Sequence, residues 1–138
     1  MRILAICVTA TSMTALSAVE ARAATLEYTC TVRQAFLQER GGQLAPKAVF
    51  IGNVFSASRE TGRISAASVG PYFASPSAKP QILFGGGSGE PFAVISVNRT
   101  AQGGVNVEFL AVRDFPEFSA KTFLAYGVGG MIFTGTCE

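Results

Sequence analysis

The chain has 138 residues, 49% of them hydrophobic, with 15 Gly, 11 Phe, no Trp, no His and a formal net charge of +2. The lack of His removes the commonest general base, the commonest neutral metal ligand and every Ser-His or Cys-His nucleophile pair. The Lys and Arg residues are scattered singly, so the clustered basic surface that nucleic acid needs is missing as well.

The first residues read as an address. Arg2 is a short positive region, Ile3 to Val19 is uncharged, and Ala21-Arg22-Ala23 has the small-x-small pattern of a cleavage site. Residues 1–23 are therefore expected to be a signal peptide, with the exported chain beginning at Ala24. The uncharged run is short and diluted by Ser and Thr, so it makes a poor membrane anchor, and no stable membrane insertion is expected after processing. Cys7 lies too early, behind the bulky Ile6, for a lipoprotein signal. Removing 23 residues leaves 115, one domain over 24–138. Arg2, Arg22 and Glu20 leave with the leader, so the remaining net charge is about +1.

In chain order, Leu26, Tyr28, Cys30 and Val32 alternate with Glu27, Thr29, Thr31 and Arg33. That period of two predicts a half-buried strand over about 25–36. Residues 38–46, with Gly41-Gly42 and Pro46, read as a loop. A second strand is expected over 48–57, a turn at Ser58 to Gly62, and a third strand over 63–69. Pro71, Pro76 and Pro80 make 70–80 an irregular crossing. A short strand at 81–84 leads into Gly85 to Gly89, read as a flexible loop. Strands over 92–98 and 105–112 form a hairpin. On its second arm Val105, Val107, Phe109 and Ala111 are expected inside, with Asn106 and Glu108 outside. Strands over 121–128 and 131–137 close the chain, with Met131, Phe133 and Cys137 on one face. Seven or eight short strands predict an all-β fold, a small antiparallel barrel or sandwich.

Cys30 and Cys137 are the two cysteines left after processing, and both occupy apolar-phase positions in the first and last strands. In an exported chain two Cys allow one intramolecular connectivity, so a Cys30–Cys137 disulfide is expected, with the end strands as neighbours. The export pattern and the disulfide together place the protein in the periplasm or outside the cell.

Candidate chemistry is sparse. Asp114 is the only Asp, which excludes a dyad of two Asp. A pair among Glu27, Glu60, Glu90 and Glu108 could perform glycosidase chemistry, but these residues sit at polar phases or in loops and read as surface carboxylates. Gly85-Gly86-Gly87-Ser88-Gly89 lacks the Gly-Lys-Ser/Thr ending of a phosphate loop. Asn98-Arg99-Thr100 matches the glycosylation sequon. Arg59 and Arg63 flank a turn and read as a solvated hairpin tip. The phenylalanines fill the core in the simplest account; a ligand-holding barrel is the alternative. No catalytic residue, metal or cofactor is implied. The partner, an unknown protein or small ligand, and the oligomeric state are left open.

Three stretches carry a resemblance. Phe55 to Ile64 (F-S-A-S-R-E-T-G-R-I) is similar to an F-x-V-D-R-x-T-G-x-I hairpin. Val112-Arg113-Asp114-Phe115 followed by Lys121-Thr122-Phe123 is similar to V-x-E-F…K-P-F. Phe133 to Glu138 (F-T-G-T-C-E) and the early Tyr28-Thr29-Cys30 complete the pattern. Together they resemble a group of small exported proteins of Gram-negative bacteria that have no assigned function. Ser58 and Thr122 depart from that pattern, which has Asp and Pro there. The resemblance implies periplasmic residence and transfers no catalytic residue. A weaker likeness is to small β-barrel inhibitors of lysozyme, which also start near Y-x-C and staple their ends, although no matching inhibitory loop is present. The expected function is a non-enzymatic exported β-domain that acts by binding. The alternative is an inhibitor of a cell-wall hydrolase.

Overall fold

The computed structural model describes residues 26–69, 73, 79–87 and 89–138. The expected cleavage site at 21–23 lies outside the described residues, as does most of the 70–80 crossing. The described residues form nine strands: β1 (Glu27–Gln38), β2 (Leu44–Pro46), β3 (Val54–Ser58), β4 (Ile64–Ser65), β5 (Pro80–Gly87), β6 (Glu90–Arg99), β7 (Val105–Arg113), β8 (Lys121–Gly127) and β9 (Met131–Cys137). The only helical pieces among the described residues are single 3-10 turns at Ala48–Phe50 and Val128–Gly130. All pairings are antiparallel. The order across the sheet is β4-β3-β1-β9-β8-β7-β6-β5, with β2 beside β1. The expected all-β class holds, as one curled sheet rather than two stacked ones.

The first and last strands are direct neighbours, from Cys30 opposite Cys137 to Leu37 opposite Met131. Cys30 and Cys137 are joined, with Cα atoms 4.0 Å apart. Thr29 and Glu138, the adjacent pair, exchange both backbone hydrogen bonds. Cys30 and Cys137 therefore form a non-hydrogen-bonded pair, the kind in which facing Cα atoms approach most closely. The inward row of β1 begins at Tyr28, not at Leu26, which is exposed.

The expected strand over 48–57 is interrupted. Pro46 faces Phe36 and Val54 faces Thr31 on the same side of β1. Residues 47–53 thus stand opposite 32–35, with more residues than the ladder can take. The excess loops out through Ala48–Phe50, tied at both ends by Lys47 N–H to Ala35 C=O and Gly52 N–H to Val32 C=O. The strand expected over 63–69 shortens to Ile64–Ser65, because the chain then leaves the sheet and buries Val69 and Phe73. Phe73 packs edge-on to Phe55, with ring centroids 5.2 Å apart, and Phe55 packs edge-on to Phe123 at 5.0 Å. Edge-to-face contacts of this kind add to plain burial.

The phase of β7 is the reverse of the expectation. Glu108, Leu110 and Val112 are buried, whereas Val105 and Val107 are exposed and Phe109 is half-buried. Both rows of β7 are apolar at their centre, so alternation alone does not choose between them. Cross-strand packing decides it. Leu110 faces Val94 and Val112 faces Phe92, and all four are buried.

Candidate functional site

Two places stand out, a charged cluster at the seam of the curled sheet and the outer face of β6, β7 and β8. The seam lies between the two ends of the strand order. Among the described residues no backbone ladder joins β4 to β5, so side chains close the gap. After β3 the chain turns back through Arg59, whose Nε donates to the Gly85 carbonyl at 3.1 Å and whose Nη2 donates to the Gly86 carbonyl. Three residues on, Gly62 has a positive φ of 70° and sits so near the opposite wall that a Cβ would lie 2.9 Å from Val94 and 3.1 Å from Ile82 and Pro80. Only glycine meets both demands. Arg59 is therefore not part of a solvated tip. Gly85, Gly86 and Gly87 are not a flexible loop either, since they finish β5 and Arg59 holds two of their carbonyls.

Tyr28 stands at the centre of this seam. Its ring is fully buried, 5.5 Å from the Phe92 ring. The hydroxyl donates to Asp114 Oδ2 at 2.9 Å, and Lys121 Nζ lies 3.6 Å from the same oxygen. Two cations also approach the ring, Arg59 at 5.7 Å and Lys121 at 5.3 Å from the centroid, where the negative ring face attracts them. Burial, then the hydrogen bond to Asp114 and its negative charge, push the Tyr28 phenol up to about 12, with Arg59 pulling the other way. Every charge in the cluster has a partner inside it. Its chemistry is that of a clasp, which ties β1, the turn after β3 and the loop between β7 and β8 together.

The remaining sequence candidates are dispersed. Glu27, Glu60 and Glu90 are exposed. Glu108 is 2% exposed and faces Ser96, six positions along β6 from Glu90. At ~3.4 Å per strand residue that separation is roughly 20 Å, beyond the ~5–9.5 Å of a glycosidase pair. Asn98, the sequon acceptor, points into the same inner corner, opposite Asn106. Its Nδ2 is buried with no hydrogen-bond partner, so the folded chain does not offer it for glycosylation. Arg63 is exposed.

No known protein family, curated protein or solved structure matches this chain.

The outer face is the second place. Reversing the phase of β7 turns Val105, Val107 and Phe109 outward. Register then aligns Ile95, Phe109, Tyr126, Ile132 and Phe36 as one cross-strand row over five adjacent strands. Val97 opposite Val107 extends the patch on one side, and Leu124 opposite Ala111 on the other. Val97 is 56% exposed, Val105 55%, Leu124 48% and Tyr126 37%. The outward positions of β6, β7 and β8 hold no carboxylate. Their only charges are Arg99 and Arg113, at opposite ends of the β6–β7 pair. Beyond Ile132 and Phe36 the outer face turns polar, with Thr29, Thr31, Gln34, Thr134 and Thr136. Sequence reasoning missed this face because it assigned its central strand, Val105, Val107, Phe109 and Ala111, to the core.

Proposed function

We propose that the protein is an exported, non-enzymatic domain that acts by binding, and that its working surface is the outer face of β6, β7 and β8. The observation that carries this reading is the contiguous apolar row from Ile95 to Phe36, uncharged except for an arginine at each end of β6–β7. Cross-strand apolar pairs of this kind also stabilise a sheet, but pairing alone does not require Val97, Val105 and Leu124 to stay about half exposed. Large exposed apolar patches mark interaction surfaces. Export to the periplasm or beyond is supported by the Cys30–Cys137 disulfide and by the leader-like pattern of residues 1–23.

The test is site-directed photo-crosslinking in cells. A photoreactive residue at Val107 or Leu124 should give discrete adducts, and one at Thr29, on the polar side, should not. Equal labelling from all three positions, or none from any together with no lipid binding, would remove the outer face as the working surface. A soluble peptidoglycan-hydrolase assay addresses the inhibitor alternative. Inhibition that is lost in Val107→Asp would make such a hydrolase the partner.

A further inference from the structure

We propose that the outer face docks reversibly on an anionic lipid bilayer. This inference rests on the reading of that face as the working surface and names what covers it. Three observations point to lipid. The first is charge. The face carries Arg99 and Arg113 and no carboxylate, so its complement is negative, and each basic residue near an anionic leaflet is attracted to it.

The second is shape. A sheet that curls continuously from β4 to β5 presents a convex outer surface. A rigid partner without a matching groove would touch it along a narrow line, whereas a fluid bilayer conforms to it. A second copy of the chain meets both difficulties at once, because its face is convex too and its rim charges are also arginines.

The third is one-sidedness. The exposed large apolar residues Val97, Val105, Val107, Leu124 and Tyr126 lie on β6 to β8, while beyond Ile132 and Phe36 the β1–β9 side carries Thr29, Thr31, Gln34, Thr134 and Thr136. That is the division of a body lying against an interface. Val97, Val107 and Leu124 would enter the headgroup boundary. Tyr126 supplies the amphipathic ring favoured at that depth. The two arginines would meet phosphates at the ends of the strands.

The experiment is vesicle flotation with the protein recovered from its exported fraction. Intact mass should show a start at Ala24, so that the apolar leader is not what binds. Vesicles of phosphatidylcholine alone are compared with vesicles containing about a third phosphatidylglycerol, an anionic lipid. The expected result is flotation with the anionic vesicles, weakened by salt, and little with the neutral ones. Val107→Asp with Leu124→Asp should reduce it at least tenfold, as should Arg99→Gln with Arg113→Gln. Thr29→Asp should leave it unchanged, and matching far-ultraviolet spectra should show that all variants fold.

No flotation with either vesicle overturns the lipid inference, and so does flotation indifferent to phosphatidylglycerol or equally reduced by Thr29→Asp. The reading beneath it is tested separately. If flotation is absent but Val107 crosslinks to a protein, or sedimentation shows a dimer abolished by Val107→Asp, the face still works but its occupant is not lipid.

Discussion

Replacing Tyr28 by Phe removes one hydroxyl from the seam and leaves the ring, with its contact to Phe92 and its two cations, in place. The lost interaction is a hydrogen bond to an ionised acceptor, a class worth about 1.5–3 kcal/mol. Asp114 keeps Lys121 as a partner, so the lower part of that range, about 1.5–2 kcal/mol, is expected near neutral pH. The same substitution should flatten the alkaline limb of the stability curve. In the unfolded chain the phenol titrates near about 10, and in the fold it is pushed up to about 12. Between those values the unfolded chain has released a proton that the folded chain retains. Stability therefore falls as pH rises through that window. The full shift corresponds to up to about 2.7 kcal/mol at ~1.36 kcal/mol per unit, and solvent screening at the seam brings this to roughly 2 kcal/mol. Urea unfolding of both proteins at about pH 8 and about pH 11.5, on either side of the ordinary phenol value, reads the difference directly. If both lose the same stability between the two pH values, or if the tyrosinate signal unique to wild type has its midpoint near 10, the account of the clasp is wrong.

Leu110→Ala should cost about 2–5 kcal/mol and Phe109→Ala about 1 kcal/mol; chemical denaturation giving the opposite order would restore the inward phase for Phe109. Gly135 lies opposite a bulge in β1, where the register shifts between Val32 and Gln34. A Cβ there would collide with the Thr31 carbonyl oxygen and lie 2.7 Å from the Phe123 ring. Gly135→Ala should therefore cost at least about 3 kcal/mol, whereas Gly41→Ala, with nothing within 4 Å, should change the urea midpoint little. Thiol counting on unreduced, denatured protein should find no free thiol at Cys30 or Cys137. Cys30→Ser should lower the thermal midpoint, and adding Cys137→Ser should lower it little further, because the two cysteines act as one unit.

Alternation in β1 and β9 was readable in the sequence because one row of each strand is polar, so Tyr28, Cys30, Phe133 and Cys137 had one way to face. In β7 the rows Phe109-Ala111 and Leu110-Val112 are both apolar, and only the buried partners on β6 separate them. Glu108 compounds the difficulty. A carboxylate ordinarily marks the wet side of a strand, yet this one lies at the inner corner with Ser96, Asn98 and Asn106. The motif residues were visible, but not their meeting. Tyr28, Arg59, Asp114 and Lys121 come from four separate stretches, and nothing in local spacing says that the turn after β3 reaches the end of β5. The outer face was hidden for the same reason as the phase of β7, since its central members Val105, Val107 and Phe109 read as core.

The pairing of β1 with β9 also constrains when the molecule can exist as a folded body. β1 lies inside the sheet, and one of its two flanks is built from the last seven residues before Glu138. A chain emerging from its N-terminal end can form the hairpin of β6 and β7 early, because those contacts are local. It cannot complete the row that holds β1, or join Cys30 to Cys137 across 107 residues, until its final strand has arrived. Contacts of such high sequence separation fold slowly. A nascent chain can therefore pair β6 with β7 while β1 still waits, open on that flank, for Met131–Cys137. Loss of the last few residues would leave that flank open even though the seam clasp and most of the core remained.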